Sequence, residues 1–320
     1  MLITIYCSIL GLLIGSAINA IVWRLYVGRS WAHGRSMCPD CEHKLAGKDL
    51  IPVLSWLWLR GRCRYCQKRI HWQYPLVEAI TAVLFTWSAV VLAPVTVAGV
   101  VLLGVWLSLL TLLVILAVYD TRWLILPDKI LFPAIGVAGG LALVTAAQTG
   151  VNTLTSNLPV VVVFVGLIGL VVVLFKRYWV DNEVIFLAGF FLLTALTAWV
   201  GSISALPMLT GPLLAAVGGA TAFLALALVG TWLSKKEAMG GGDIKLVFLM
   251  GLVLGLKGTA LALLMAFNAA ALVGILLIAF RGKGRRDYVP FGPFLIGATF
   301  IAFLYGHPIV EWYLRLNGLS

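Results

Sequence analysis

Val97-Ala-Gly-Val-Val-Leu-Leu-Gly-Val-Trp-Leu-Ser-Leu-Leu-Thr-Leu-Leu-Val-Ile-Leu-Ala-Val-Tyr119 runs without a charge and stops at Asp120-Thr121-Arg122. An uncharged apolar stretch of this length fits a helix that crosses the roughly 30 Å hydrocarbon core of a bilayer. Comparable runs flank it on both sides. Together they read as about ten spans, near 2–23, 75–94, 97–119, 130–149, 157–175, 183–204, 206–233, 244–256, 259–280 and 289–306. The stretch at 244–256 is short for a full crossing. The expected fold is an all-α polytopic membrane protein of about 8–10 transmembrane helices. Composition agrees: of 320 residues, 62% are hydrophobic and only 11% charged, with a mean hydropathy of +1.06. A soluble domain carries about 25% charged residues.

The formal charge of +11 would suggest nucleic acid in a soluble chain. Here its distribution follows the positive-inside bias of membrane proteins instead, and no nucleic-acid partner is expected. Residues 24–74 form the one sizeable polar segment and hold Arg24, Arg29, Arg35, Lys44, Lys48, Arg60, Arg62, Arg64, Lys68 and Arg69. That side is assigned to the cytoplasm. Threading onward, Arg122 and Lys129, Lys176 and Arg177, Lys235, Lys236 and Lys245, and the basic residues at 281–286 fall on the same side. The opposite side receives only Lys257 and Arg315. The expected organisation is a first span at 1–23, retained rather than cleaved as a leader, a cytoplasmic segment at 24–74, and a polytopic membrane domain at 75–320. An inner-membrane location, with lipids as surroundings, follows.

Two carboxylates stand at span ends. Asp120 closes the third span, and Asp243 opens the eighth after Gly240-Gly241-Gly242. With four spans between them, both reach the same face at similar depth. Two carboxylates held close cannot both ionise cheaply, so one keeps a proton. The ionised member then activates water while the protonated one polarises a carbonyl and later supplies a proton to the leaving amine. The glycines would let the backbone bend and approach a substrate strand, which makes Gly240, Gly241 and Gly242 candidate substrate-binding positions. The helix N-terminus would favour the ionised form of Asp243. Either Asp alone is ordinarily a solvated helix end.

Cys38-Pro-Asp-Cys41 and Cys63-Arg-Tyr-Cys66 form two CxxC pairs on the cytoplasmic side. The cytoplasm is reducing, so disulfides are not expected there. Two such knuckles suit a tetrahedral four-thiolate zinc site of structural type, with Cys38, Cys41, Cys63 and Cys66 as ligands. Metal would help a segment of this size to fold. Arg62 and Arg64 are candidates to offset the thiolate charge, and His43 reads as a surface residue. Cys7 reads as a small apolar filler in the first span.

These residues carry a resemblance to a known family. Asp120-Thr-Arg-Trp-Leu-Ile-Leu-Pro127-Asp128 resembles the type IV prepilin peptidase pattern whose first Asp is catalytic. Gly240-Gly241-Gly242-Asp243-Ile-Lys is similar to its Gly-x-Gly-Asp motif, which carries the second catalytic Asp. Gly11-Leu-Leu-Ile-Gly15-Ser16-Ala-Ile-Asn19, Tyr74-Pro75-Leu76-Val77-Glu78 and Val289-Pro290-Phe291-Gly292-Pro293-Phe294-Leu295 match further family stretches in order. The resemblance implies an aspartyl endopeptidase of the inner membrane, with its active site facing the cytoplasm. Such enzymes remove the leader from type IV prepilins and type II secretion pseudopilins. Many also methylate the new N-terminus with S-adenosylmethionine, though the sequence shows no glycine-rich cofactor loop. The family has about eight spans, with two between the aspartates. The four counted here imply an extra helical hairpin within about 155–235, which leaves Lys176, Arg177, Asp181 and Glu183 without a family role.

Two other classes compete. A transporter needs ionisable groups in mid-span facing a path, and none is found in the sequence. A non-catalytic zinc-bearing membrane scaffold would tolerate loss of either Asp. Among lesser features, Asp128 reads as a helix cap. Glu78 reads as an interfacial carboxylate near Arg and Lys. Lys245 reads either as a tuning charge or as a snorkelling one. Pro290 and Pro293 are expected to disturb the first turn of the last span. Residues 50–59 are expected to pack on the membrane face or the metal loop.

Overall fold

The computed structural model describes residues 2–30, 34–149, 207–234, 240–281 and 289–316. The expected spans at 157–175 and 183–204, most of the extra hairpin, and Lys176, Arg177, Asp181, Glu183, Lys235, Lys236, Lys283, Arg285 and Arg286 lie outside them. Among the described residues the chain is all-α, and seven helices are long and apolar enough to cross a membrane. It divides into two compact units, Met1–Tyr119 and Asp120–Ser320.

The first unit is built on α1 (Leu2–Tyr26) and α3 (Gln73–Leu92), with the short α2 (Leu54–Trp58) between them in sequence and α4 (Val97–Trp123) following. Gly11 and Gly15 explain how α1 meets α3. A Cβ on Gly11 would stand 2.6 Å from Ala82 Cα, and one on Gly15 would stand 2.6 Å from Glu78 Cα. Small residues four apart let two backbones approach closely where lipid supplies no hydrophobic drive to associate. Polar links lie along the same seam: Ser8 with Thr86 at 2.7 Å, and Asn19 Nδ2 donating to Tyr74 O at 3.1 Å. Trp106 of α4 donates its indole N–H to Ser88 of α3 at 2.9 Å, so the buried ring is satisfied. The opposite face of α1 exposes Ile5, Ile9 and Leu13, as a lipid-facing surface does.

In the second unit, α5 (Asp128–Thr149), α6 (Pro207–Ser234), α7 (Gly241–Arg281) and α8 (Gly292–Leu316) pack together. A straight helix of 41 residues would be about 60 Å long, twice a bilayer core. Instead α7 breaks at Gly255, where φ is 64° and ψ is −177°. A Cβ on Gly219 of α6 would touch Val247 Cγ1 at 3.3 Å and Thr259 Cγ2 at 3.4 Å. Those two side chains would be about 18 Å apart along one straight helix. The two arms, 241–254 and 256–281, therefore fold back on each other, and together they correspond to the expected spans at 244–256 and 259–280. Only glycine adopts this φ cheaply, which places the reversal. Gly251 lets the first arm press against the backbone of Ala215 and Ala216.

The last helix departs from expectation at its start. Pro293 falls in the first turn of α8, where its missing N–H costs nothing. The N–H groups of Phe294 and Leu295 both reach Phe291 O, so the turn is intact rather than disturbed.

Candidate active site and metal centre

Asp120 lies near the C-terminal end of α4, which stops when Leu124 takes a left-handed φ of 56° and its N–H returns to Asp120 O at 2.9 Å. Pro127 then opens the next helix by accepting the N–H groups of Ile130 and Leu131. The chain thus reverses within 120–128. Asp120 is buried, and its Oδ2 accepts the Gly292 N–H at 3.0 Å. Gly292 has no room for a side chain, since a Cβ would meet that oxygen at 2.7 Å.

Asp243 sits in the first turn of α7, its N–H held by Gly240 O at 3.1 Å. It is half-buried and lies within Coulombic range of Asp120. Leu126 ties the two places together. Its side chain would meet a Cβ on Gly242 at 2.9 Å and one on Gly292 at 3.4 Å. Gly242 is therefore required by packing against Leu126, while Gly240 is exposed with open space around it.

Three lesser expectations are corrected here. Of the two readings of Lys245, the snorkelling one is overturned. The residue is 8% exposed, and its ammonium donates to Asp128 Oδ1 at 2.9 Å and Oδ2 at 3.2 Å. The carboxylate of Asp128 is accordingly taken up by an ion pair rather than by capping α5. Glu78 is buried away from the basic residues expected beside it. Its Oε2 accepts the Val53 N–H at 2.7 Å, and the Ser16 hydroxyl joins it. The physical reason is the close α1–α3 approach at Gly15, which seals the carboxylate inside.

The cysteine segment is two copies of one turn. Cys38 N–H bonds His43 O and Glu42 N–H returns to Cys38 O. In parallel, Cys63 N–H bonds Lys68 O and Gln67 N–H returns to Cys63 O. Each turn is closed by an antiparallel bridge, Met37 with Lys44 and Arg62 with Arg69. Glu42 and Gln67 take left-handed φ of 53° and 57° at matching positions. The four sulfurs lie within 4.8 Å of one another, and Cys38 Sγ and Cys66 Sγ are 3.9 Å apart. Sulfurs bound tetrahedrally at about 2.3 Å would be roughly 3.8 Å apart, so the cluster is sized for a metal ion. Burial pushes the Cys38 thiol up despite N–H groups of Asp40 and Cys41 aimed at it. At Cys63 burial is outweighed by the N–H groups of Cys66 and Tyr65, which bring the thiol below its ordinary value.

His43 is no ligand; it is exposed and stacks on Tyr65 at 3.6 Å between centroids. Arg64 does not serve the sulfurs but binds Asp49 at 2.7 Å. Of its two expected neighbours, the 50–59 stretch reaches the metal loop. Trp56 donates to Ile70 O and covers Gly61 beside the second knuckle, and Val53 is held by Glu78 of α3.

The four cysteines singled out by their spacing do cluster, and Asp120 and Asp243, singled out at span ends, lie within Coulombic range of each other. The Gly292 N–H, the Leu126 wedge and the Lys245–Asp128 pair escaped the sequence reading. Only the glycine and lysine positions inside recognised motifs hinted at them.

Comparison with known proteins gives two family matches. Residues 9–92 match the Bacterial Peptidase A24 N-terminal domain, and residues 175–278 match the Type IV leader peptidase family. A protein of Aeromonas salmonicida described as "Prepilin leader peptidase/N-methyltransferase" is 32% identical over 280 residues, covering 88% of this chain and 74% of its own. Proteins with the same description from Pseudomonas putida and Bacillus subtilis are 30% and 27% identical, covering 97% and 96% of this chain and 93% and 96% of their own. No solved structure gives a significant match.

Proposed function

Because the chain belongs to the type IV leader (prepilin) peptidase family, we propose that it is a membrane aspartyl endopeptidase using Asp120 and Asp243. Its substrates are prepilins or pseudopilins, each cut at the cytoplasmic face where the substrate's apolar helix enters the bilayer. The observation that carries this reading is the pair itself: two carboxylates far apart in sequence, in Coulombic range, drawn to one place by Leu126 between Gly242 and Gly292. One member holds a proton and the other activates water, and the two titrate as a unit. The Gly292 N–H favours negative charge on Asp120. The lysine and arginine distribution supports the cytoplasmic side.

In this reading Cys38, Cys41, Cys63 and Cys66 hold a structural zinc ion that fixes the two knuckles. All four positions are taken by protein sulfur, so the metal folds the segment rather than presenting a water. The relatives' description also names an N-methyltransferase, and methylation of the new N-terminus with S-adenosylmethionine is the second activity to examine. No residues of this chain are assigned to that cofactor.

The test is purified protein with a synthetic prepilin, read by product mass. Leader loss is expected with the native protein and none with Asp120→Asn or Asp243→Asn, although both accumulate in the membrane. Cleavage surviving in either variant refutes the assignment and favours a scaffold. An added 14 Da per product, about one methyl group, appears only if the second activity is present.

A further inference from the structure

The turn from Asp120 to Asp128 is fastened at three points within the second unit. At one end Asp120 takes the Gly292 N–H. In the middle Leu126, 9% exposed, fills the space beside Gly242 and Gly292. At the far end Asp128 receives the Lys245 ammonium on both oxygens. Lys245 follows Asp243 by two residues on the first arm of α7, and its Nζ also lies 5.5 Å from the Phe132 ring centroid. Phe132 and Asp128 belong to the same first turns of α5.

We propose that Lys245 and Asp128 are positioning residues whose ion pair clamps the Asp243 helix against the Asp120 turn. This rests on the aspartyl-protease reading above. The first arm of α7 is short, ending at the Gly255 break. Gly251 holds the middle of the arm against α6, and Lys245 ties its first turn to α5. Residues two apart on a helix point about 200° from each other, so Lys245 does not face where Asp243 faces. Holding Lys245 to α5 fixes the arm's angle about its axis, and that angle decides whether the Asp243 carboxylate meets Asp120 across one water. The ammonium is buried and the carboxylate is half-exposed, and both carboxylate oxygens accept from the ammonium. The cation–π contact with Phe132 lies on the same side and reinforces one orientation.

The experiment measures kcat and KM on the full chain in detergent, with a synthetic prepilin, for Lys245→Met, Asp128→Asn, the double variant and Lys245→Arg. Each single variant is expected to lower kcat roughly 10- to 100-fold, the scale of a misplaced reacting group. KM should stay within about twofold, because contacts with the substrate's apolar helix are untouched. The double variant should be no worse than the poorer single one, since both remove the same pair. Lys245→Arg should return most of kcat, because a guanidinium also spans two carboxylate oxygens. The clamp is overturned by near-native kcat in both single variants, by multiplicative losses in the double, by failure of arginine to restore activity, or by losses that track the unfolded fraction in a melt. Asp120→Asn and Asp243→Asn run alongside. Activity in those removes the protease reading itself, whereas inactivity there with an unaffected Lys245→Met removes only the clamp.

Discussion

The Gly292 amide donates to Asp120 Oδ2 at 3.0 Å, joining the end of α4 to the start of α8 across 172 positions of sequence. A backbone donor aimed at a carboxylate favours its charge and fixes which oxygen is free to act. The contact exists because residue 292 has no side chain.

Gly292→Ala is therefore expected to separate Asp120 from its donor. The new methyl would sit 2.7 Å from Oδ2 and 3.2 Å from Cγ. A shift of about 1 Å at a reacting group costs on the order of 100-fold in rate. Gly297→Ala is the control, since a Cβ there meets nothing within 4 Å. Prepilin cleavage rates for the two variants decide it: equal rates would remove the role assigned to the Gly292 contact.

Glu78 anchors the cysteine segment through the Val53 N–H. Val53 has a left-handed φ of 60°, which a β-branched residue resists. Glu78→Ala leaves that N–H without its acceptor and is expected to destabilise the segment locally by about 1–3 kcal/mol. Glu78→Gln keeps an acceptor and should lose less. Limited proteolysis would show faster nicking within residues 34–72 for the alanine variant while the membrane helices persist. Identical digestion patterns would argue against the anchor.

Metal content tests the knuckles directly. Elemental analysis should find about one zinc per chain in the native protein. Cys38→Ser or Cys63→Ser, at the two buried sulfurs, should bring it close to zero. A chelator strong enough to strip the ion should expose the four thiols to alkylation together, because each knuckle depends on the other for its metal. Undiminished zinc in both serine variants would mean the ion sits elsewhere.

Asp49 gives the segment an acid limit. Burial alone would raise its carboxyl, but Arg64, the Tyr65 hydroxyl and the Ala46 N–H hold it below the ordinary value of 3.8. A depressed folded pKa contributes stability above the unfolded value, and that stability is lost as pH falls through the folded one. Native protein should thus exceed Asp49→Asn in stability at neutral pH. The gap should close below about pH 4 as Asp49 takes up a proton. Loss of thiolate ligands in acid affects both proteins alike and cancels in the comparison. A gap that stays constant down to pH 2 would exclude this carboxylate as the source.

The sequence by itself determined the class of fold and the chemistry on offer. Apolar runs such as 97–119 must become helices in lipid, because backbone polar groups there have no water to bind. Paired CxxC spacing is local, so each knuckle was readable before any partner was known. Aspartates at span ends are likewise local facts, fixed by where charge meets an apolar run.

Only the tertiary structure decided what those groups meet. Lys245 and Asp128 stand 117 positions apart, and nothing in their own neighbourhoods says that one neutralises the other. Whether Glu78 faces basic side chains or a buried amide depends on how closely Gly15 lets two helices approach. The reversal at Gly255 shows the same division: a glycine in an apolar run is ambiguous, and its φ of 64° is chosen by the packing of both arms on Gly219. Local pattern sets which interactions a chain can make, while long-range packing selects among them, because contact energies depend on partners that sequence order does not bring together.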